Sequence, residues 1–340
     1  MRSLIVGGGA IGQFLAVRLA QGGLTPVIFA RAEQVAAINA GPITLQLRDG
    51  VIAQRVRAVS DPADEALTDP FELAIVAVKA YATAGAVRSL RAIPQCARAT
   101  MLTVQNGLGN EEILADAFGV EQVVAGALTV AVDRLSATSI SASDKGGLSL
   151  APLGTIPHNW LMAAFGGSGM TVSAVGDWRA LKWSKLLINI LGNGVCAALD
   201  WLPEQVYADL NAFAIERRCL LEALAVMRRL KIQPVNLIDY PSAVLAVAAG
   251  LLPPPVLRVV LAKRVVTGRG GKLPSLLMDL RAHRPRSEVE ALNGGVAAQA
   301  AKAGIEAPAN AAVARIVSGI ANGTLRWEEY RGHPERLFKD

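Results

Sequence analysis

Lys185, Asn189 and Asn193 recur every four residues in WSKLLINILGN (183–193), whose remaining side chains are mostly aliphatic. Residues at i, i+4 and i+8 fall along one side of a helix. The spacing therefore predicts a row of one ammonium and two amides. In a dry core each unpaired polar group would cost about 1–3 kcal/mol, the ammonium more. Two placements avoid that cost: an exposed stripe, or the wall of a wet cleft between two domains. In the cleft, the lysine can donate a proton to a carbonyl oxygen, and the amides can hold that oxygen or its neighbours.

A second constellation lies in PSLLMDLRAHRPRSEVEALNGG. Ser275 caps or begins one helix. Ser287 fits the N-cap of the next, with Glu290 three residues on, an S-x-x-E capping box that accounts for Glu290 structurally. Glu288 sits in the first turn, where the helix dipole favours a carboxylate, and is able to reach a lysine.

A third pattern points to a dinucleotide. Gly7, Gly9 and Gly12 form G-x-G-x-x-G around Ala10 and Ile11 in IVGGGAIGQF, after an apolar strand and at the start of a helix. Gly7 allows the turn, Gly9 the approach of the pyrophosphate, and Gly12 close helix–strand packing. The helix N-terminus adds amide donors and a positive dipole end. The second strand ends in Arg31, about 20 residues beyond the glycines, where an acid would mark NAD. A guanidinium there can pair a 2′-phosphate, which favours NADP; the nearest carboxylate is Glu33, on a helix start. Lys79 and Asn106 end two further strands, where ligands of open parallel sheets bind. Their plainer readings are a surface lysine and an Asn-Gly turn, and for Arg31 a surface arginine. TGRGGKLPS lacks the P-loop spacing and has Leu273 where Ser or Thr belongs, so it reads as a loop before a helix.

The elements that must carry these groups fall into two halves. SLIVGG, TPVIFAR, LAIVAVKA and ATMLTVQNG are apolar runs separated by helical segments such as AIGQFLAVRLAQGG and EQVAAINAG. Such alternation predicts a parallel sheet covered on both faces. VVAGALTVAVD and GGLSLAPLG, between Val120 and Leu153, are expected to complete it. After Gly176 the pattern turns helical, with helices expected at 178–199, 203–230, 241–252, 255–266, 274–281, 286–303 and 308–322. The expected fold class is α/β. A Rossmann-type parallel-sheet domain (1–176) precedes an all-helical domain (177–340), with Asp177 as an N-cap.

Composition narrows the function classes. The chain has 340 residues, is 52% hydrophobic and 18% charged, and can bury two cores. Its formal net charge of +6 is dispersed except for Arg281, Arg284 and Arg286, which suits a solvated surface or steering of anionic ligands. No nucleic-acid recognition motif accompanies it. Cys96, Cys196 and Cys219 form neither CxxC nor a disulfide framework, which fits a reducing compartment. His158, His283 and His333 are isolated, so no metal site is expected. The glycine-rich start fits a strand-turn-helix better than a signal peptide, and the greasiest later stretch, 242–262, is broken by Pro253, Pro254 and Pro255. A cytoplasmic protein without membrane partners is expected.

These motifs, in this order, resemble the ketopantoate reductase (2-dehydropantoate 2-reductase) family across nearly the whole chain: IVGGGAIG, Arg31, VKAY, VQNGLGNEE, WSKLLINILGN and PSLLMDLRAHRPRSEVEALNGG. The resemblance implies a Rossmann domain and a helical domain with NADPH and a small anionic oxo acid held between them. It implies reduction of 2-dehydropantoate to pantoate, in pantothenate biosynthesis. By the same resemblance Lys185 is the general acid and Glu288 orients substrate and lysine. Asn189, Asn193, Ser275 and Asn106 hold substrate. Lys79 and Asn106 lie beside the nicotinamide, and Arg31 anchors the 2′-phosphate. Gly194 replaces a common proline, Cys196 a usual threonine, and Ser287–Glu290 a usual T-E-I-D; the charged C-terminal tail is long. The alternatives are a related reductase of another small oxo acid and a catalytically silent NADP-binding regulator. Family analogy allows a homodimer.

Overall fold

In the computed structural model, which describes residues 1–155, 159–269 and 273–338, β1 (Arg2–Val6) shows how the first half packs. Leu4 and Val6 enter one apolar cluster and Ile5 the other. Side chains alternate across a strand, so a continuous apolar run is what a sheet buried on both faces requires. Burying each such side chain contributes about 1.5–3 kcal/mol.

After β1 come α1 (Ala10–Gln21), β2 (Thr25–Phe29), α2 (Ala32–Ala40), β3 (Ile43–Leu47), β4 (Gly50–Gln54), β5 (Arg57–Val59) and β6 (Leu73–Val76). Then follow α3 (Thr83–Arg91), β7 (Thr100–Thr103), α4 (Asn110–Phe118), β8 (Val123–Leu128), β9 (Val132–Arg134) and β10 (Ser139–Ala142). β11 (Leu148–Pro152), α5 (Asn159–Gly166) and β12 (Val172–Ala174) end this half. The main sheet has the order β12-β11-β8-β7-β6-β1-β2-β5. β1 pairs in parallel with both β2 and β6, so the strand order reverses there. Ligands of open α/β sheets bind beside such a reversal.

One expectation is corrected. β8 and β11 join the main sheet, but β9 and β10 form a second, four-stranded sheet of order β4-β3-β10-β9. Ile43, Leu45 and Ile140 of that sheet pack in the cluster containing Phe14 and Leu15 of α1. The second sheet thus covers a face of α1 that the main sheet leaves open.

The second half is helical: α6 (Trp178–Ile190), α7 (Gly194–Leu199), α8 (Pro203–Ala208), α9 (Leu210–Arg229), α10 (Ser242–Leu251), α11 (Pro254–Arg269), α12 (Ser275–Arg281), α13 (Asn293–Lys302) and α14 (Pro308–Ala321). Asp177 Oδ1 accepts from the Arg179 N–H at 2.8 Å, capping α6 as expected. Three expected helices are interrupted. The stretch 178–199 breaks after Ile190, where Gly192 is left-handed (φ +58°). The stretch 203–230 breaks at Asp209, whose carboxylate accepts from the Ala212 N–H and caps α9. The stretch 286–303 opens with a 3-10 turn, Glu288–Glu290, and its helix begins only at Asn293.

By contacts the chain divides into one unit of residues 1–105, 109–182 and 237–240 and a second of 106–108, 183–236 and 241–340. The division falls inside α6, six residues past the change in sequence pattern. Among the described residues no helix is long and apolar enough to cross a membrane. His158 and the Gly271–Lys272 pair of TGRGGKLPS lie outside the described residues.

Candidate active site

The glycine loop is built by the backbone. Gly7 has φ +126°, and a Cβ there would sit 2.9 Å from the Ala77 carbonyl oxygen. At Gly12 a Cβ would lie 1.8 Å from the Gly7 carbonyl oxygen, so only glycine lets α1 approach the loop. At Gly9 an added Cβ would meet nothing within 4 Å. That opening has no demand from this chain's own packing. It lies at the N-cap of α1, where no side chain caps the helix and no acid occupies the first turn. Gly9, Ala10 and Ile11 are half-buried, so the start of α1 is partly open to solvent. These features fit a bound pyrophosphate.

Arg31 follows β2 as the exposed N-cap of α2. Lys79 follows β6, half-buried, as the N-cap of a 3-10 turn, Ala80–Ala82. Gln13 was not foreseen as a loop residue. Its amide donates to the Gly8 carbonyl at 3.0 Å and the Ala137 carbonyl at 2.8 Å, tying the glycine loop to the β9–β10 connection. A polar residue on an otherwise apolar helix face was the available signal.

In the second unit four predicted residues form one hydrogen-bonded chain. Asn189 Nδ2 donates to Asn106 Oδ1 at 2.9 Å. Asn193 Nδ2 lies 3.1 Å from the Asn189 carbonyl and 3.4 Å from Ser275 Oγ. Asn193 Oδ1 accepts from the Leu276 N–H at 3.1 Å, capping α12 from another segment. The predicted row is therefore bent. Lys185 and Asn189 sit one turn apart on α6, both half-buried, whereas Asn193 is buried in the break before α7. The cause is the Gly192 turn. Its N–H donates to Glu216 Oε1 at 2.6 Å, and Glu216 also accepts from the Tyr207 hydroxyl at 2.5 Å. Glu216 lies on α9 and is 1% exposed, and no local pattern in the sequence marks it as buried.

Glu288 is buried at the start of the 3-10 turn. Ser287 Oγ accepts from the Val289 N–H, and Glu290 accepts instead from Ser318 Oγ at 3.3 Å. The capping-box reading is thus corrected to a local turn cap, because no helix follows directly. The turn docks on the Asn106 loop: the Leu108 N–H donates to the Ala291 carbonyl at 2.9 Å, and a Cβ at Gly107 (φ +85°) would lie 2.5 Å from that oxygen. Lys185, Asn189, Asn106, Glu288, Asn193 and Ser275 are thereby carried by segments that pack on one another within this unit.

Sequence reasoning also missed a buried ion pair. Lys182 Nζ lies 2.8 Å from Glu111 Oε1, both almost wholly buried. Burial pushes the Glu111 carboxyl above its ordinary range, and the nearby Lys182 charge opposes that rise. Glu111 stands in the first turn of α4 and Lys182 on α6, positions that by themselves do not mark either group as buried.

The basic cluster is partly neutralised. Arg281 pairs with Asp200 at 2.8 Å and Arg284 with Asp279 at 3.1 Å. Among the described residues no group of three or more His, Cys, Asp or Glu is arranged to hold a metal ion. Gly194 has a packing reason, since a Cβ would lie 2.7 Å from both Asn293 Oδ1 and Val313 Cγ1.

Known proteins share the family and the fold. The chain is 25% identical to a 2-dehydropantoate 2-reductase of Archaeoglobus fulgidus over 325 residues, covering 95% of this chain and 98% of that one. A PanE/ApbA family ketopantoate reductase from Ralstonia eutropha has the same fold (TM-score 0.80, 24% identity, 95% and 99% of the two chains). So does a D-mandelate dehydrogenase solved with NADH and anilino(oxo)acetate (TM-score 0.79, 19% identity, 95% and 99%). The family model described as ketopantoate reductase PanE/ApbA matches residues 3–154, and that of its C-terminal domain matches residues 177–321. The chain belongs to the ketopantoate reductase PanE/ApbA family.

Proposed function

We propose that this protein reduces a small 2-oxo acid with NADPH, and that 2-dehydropantoate, giving pantoate, is the first substrate to test. Chemistry of the C=O/CH–OH pair comes with the family; the cofactor phosphate, the substrate and the residue roles are the proposal. The observation that carries it is the hydrogen-bonded chain Asn106–Asn189–Asn193–Ser275, on segments that also carry Lys185 and Glu288. Amides arranged in this way can orient an oxo acid, and Asn193 serves the fold as well by capping α12.

When bound at the glycine loop, NADPH supplies the hydride. Gly7, Gly9, Gly12 and the first-turn amides at Ala10 and Ile11 hold its pyrophosphate. Arg31, exposed at the end of β2, pairs the 2′-phosphate, and Lys79 lines the nicotinamide side. Lys185 gives the proton from Nζ to the ketone oxygen, and Glu288 orients lysine and substrate. Asn106 and Asn189 direct amide groups at the oxo acid. Asn193 holds Ser275 beside the acid's carboxylate.

The test is NADPH consumption with a panel of 2-oxo acids, 2-dehydropantoate included, repeated with NADH and with Arg31→Ala. The expected result is turnover with NADPH, and loss of the preference over NADH in the variant. A wild-type preference for NADH removes Arg31 from the reading. A different 2-oxo acid is the second reading, because D-mandelate dehydrogenase shares the fold as closely as the Ralstonia protein. Tight NADPH binding without turnover of any acid would favour a regulator.

A further inference from the structure

One buried polar network touches the backbone beside three of the proposed site residues. Lys182 Nζ donates to the Gln105 carbonyl at 2.5 Å and lies 2.8 Å from Glu111 Oε1. Gln105 Nε2 donates to the Val78 carbonyl at 3.0 Å and to Thr83 Oγ1 at 2.8 Å. Thr83 Oγ1 is 2.7 Å from the Ala80 carbonyl and 2.8 Å from Asn110 Oδ1. Its single proton serves one of these at a time. Lys182, Glu111, Gln105, Thr83 and Asn110 are all buried.

The backbone positions they hold are specific. Val78 and Ala80 flank Lys79, Gln105 immediately precedes Asn106, and Lys182 stands three residues before Lys185 on α6. We infer that this network is a positioning device, setting the backbone from which Lys79, Asn106 and Lys185 project. The inference takes the proposed roles of those three residues as its starting point. A buried ion pair seldom stabilises a fold more than well-packed apolar side chains do. An ammonium can, however, hold a carbonyl and a carboxylate at once, in fixed directions. A methionine in its place fills the volume and holds neither. The network has two arms. Thr83 and the Gln105 side chain hold the turn around Lys79; Lys182 and Glu111 hold the backbone leading to Asn106 and Lys185.

The arms give different readouts, which general loosening would not. In the double variant Lys182→Met/Glu111→Leu both charges leave together, so the melting temperature should stay near wild type. Turnover of the best oxo acid should fall about 10–100-fold from misplacement of reacting groups, with NADPH affinity held within about threefold. In Thr83→Val, NADPH affinity by fluorescence titration should weaken about 3–10-fold, with a lowered melting temperature, because the variant removes a partner of the buried Gln105 amide. A double variant with wild-type turnover overturns the inference, as does unchanged NADPH affinity in Thr83→Val. So does proportional loss of both parameters in both variants, the mark of a purely structural role. If the double variant does not fold, Glu111→Gln replaces it, with the same turnover loss expected and wild-type turnover overturning. Wild-type protein inactive on every oxo acid would sink the functional reading instead; the Thr83→Val arm needs no substrate and still judges the network.

Discussion

In the proposed reading the glycine loop and the polar chain around Asn189 both place groups for a ligand, by different means. The loop uses consecutive residues and backbone atoms, and its side chains matter mainly by their absence. At Gly12 a Cβ would strike the Gly7 carbonyl, and at Gly9 it would meet open space. The polar chain draws side chains from segments around residues 106, 189, 193 and 275, and needs Gly192, Glu216 and Tyr207 to bend α6 into α7. Local construction is legible from spacing; construction from distant side chains is not.

The largest expected effect lies in the second region. Lys185→Ala should lower turnover by about 10²–10⁴-fold while NADPH affinity and melting temperature stay near wild type. Near-normal turnover would end the assignment of Lys185 as proton donor. Within the glycine loop, two alanine substitutions should separate packing from ligand approach. Gly12→Ala should cost about 3 kcal/mol of stability in urea unfolding, because the obstructing atom is backbone. Gly9→Ala should leave unfolding unchanged, since an added Cβ meets nothing within 4 Å, and, if the proposal holds that the pyrophosphate approaches there, weaken NADPH binding at least about tenfold. Equal stability losses in both would contradict the distinct roles of the two glycines.

Next comes the bend. Glu216→Ala removes the acceptor of the Gly192 N–H and the Tyr207 hydroxyl, and should cost about 2–3 kcal/mol in the same unfolding measurement. It should also raise the KM for the oxo acid, since Asn193 follows the turn. Unchanged stability would make the bend intrinsic to Gly192. The smallest effect concerns the thiols. Burial pushes the Cys96 thiol up to about 12 and raises that of Cys219 well above its ordinary value, with Glu222 and Glu216 adding to the rise. Cys196 is also buried. Native protein at pH 8 should take up essentially no iodoacetamide label, and denatured protein three; rapid native labelling would show that these cores open.

Much of the nucleotide half was readable because its signals are local. Apolar runs of strand length and the three glycines each report on their own neighbourhood. The second sheet was not, because β3 and β10 are separated by about a hundred residues in a chain whose short polar-edged strands look alike. The helical half was readable as helices but not as breaks. Periodicity continues through Leu191–Asn193, and the left-handed turn there is held by an acid on α9, far along the chain. Glu290 followed a valid local rule and still found Ser318, since tertiary packing replaced the expected helix with a 3-10 turn.

By itself the sequence determined the two-part α/β and helical organisation and the glycine turn that joins β1 to α1. Hydrophobic periodicity and glycine sterics act over a few residues and need no partner. Tertiary structure alone decided that Asn106 meets Asn189, that Asn193 caps α12, and that Lys182 and Glu111 share a buried site. A hydrogen bond or ion pair between distant residues leaves no periodic trace, because either partner alone would serve equally well on a solvated surface.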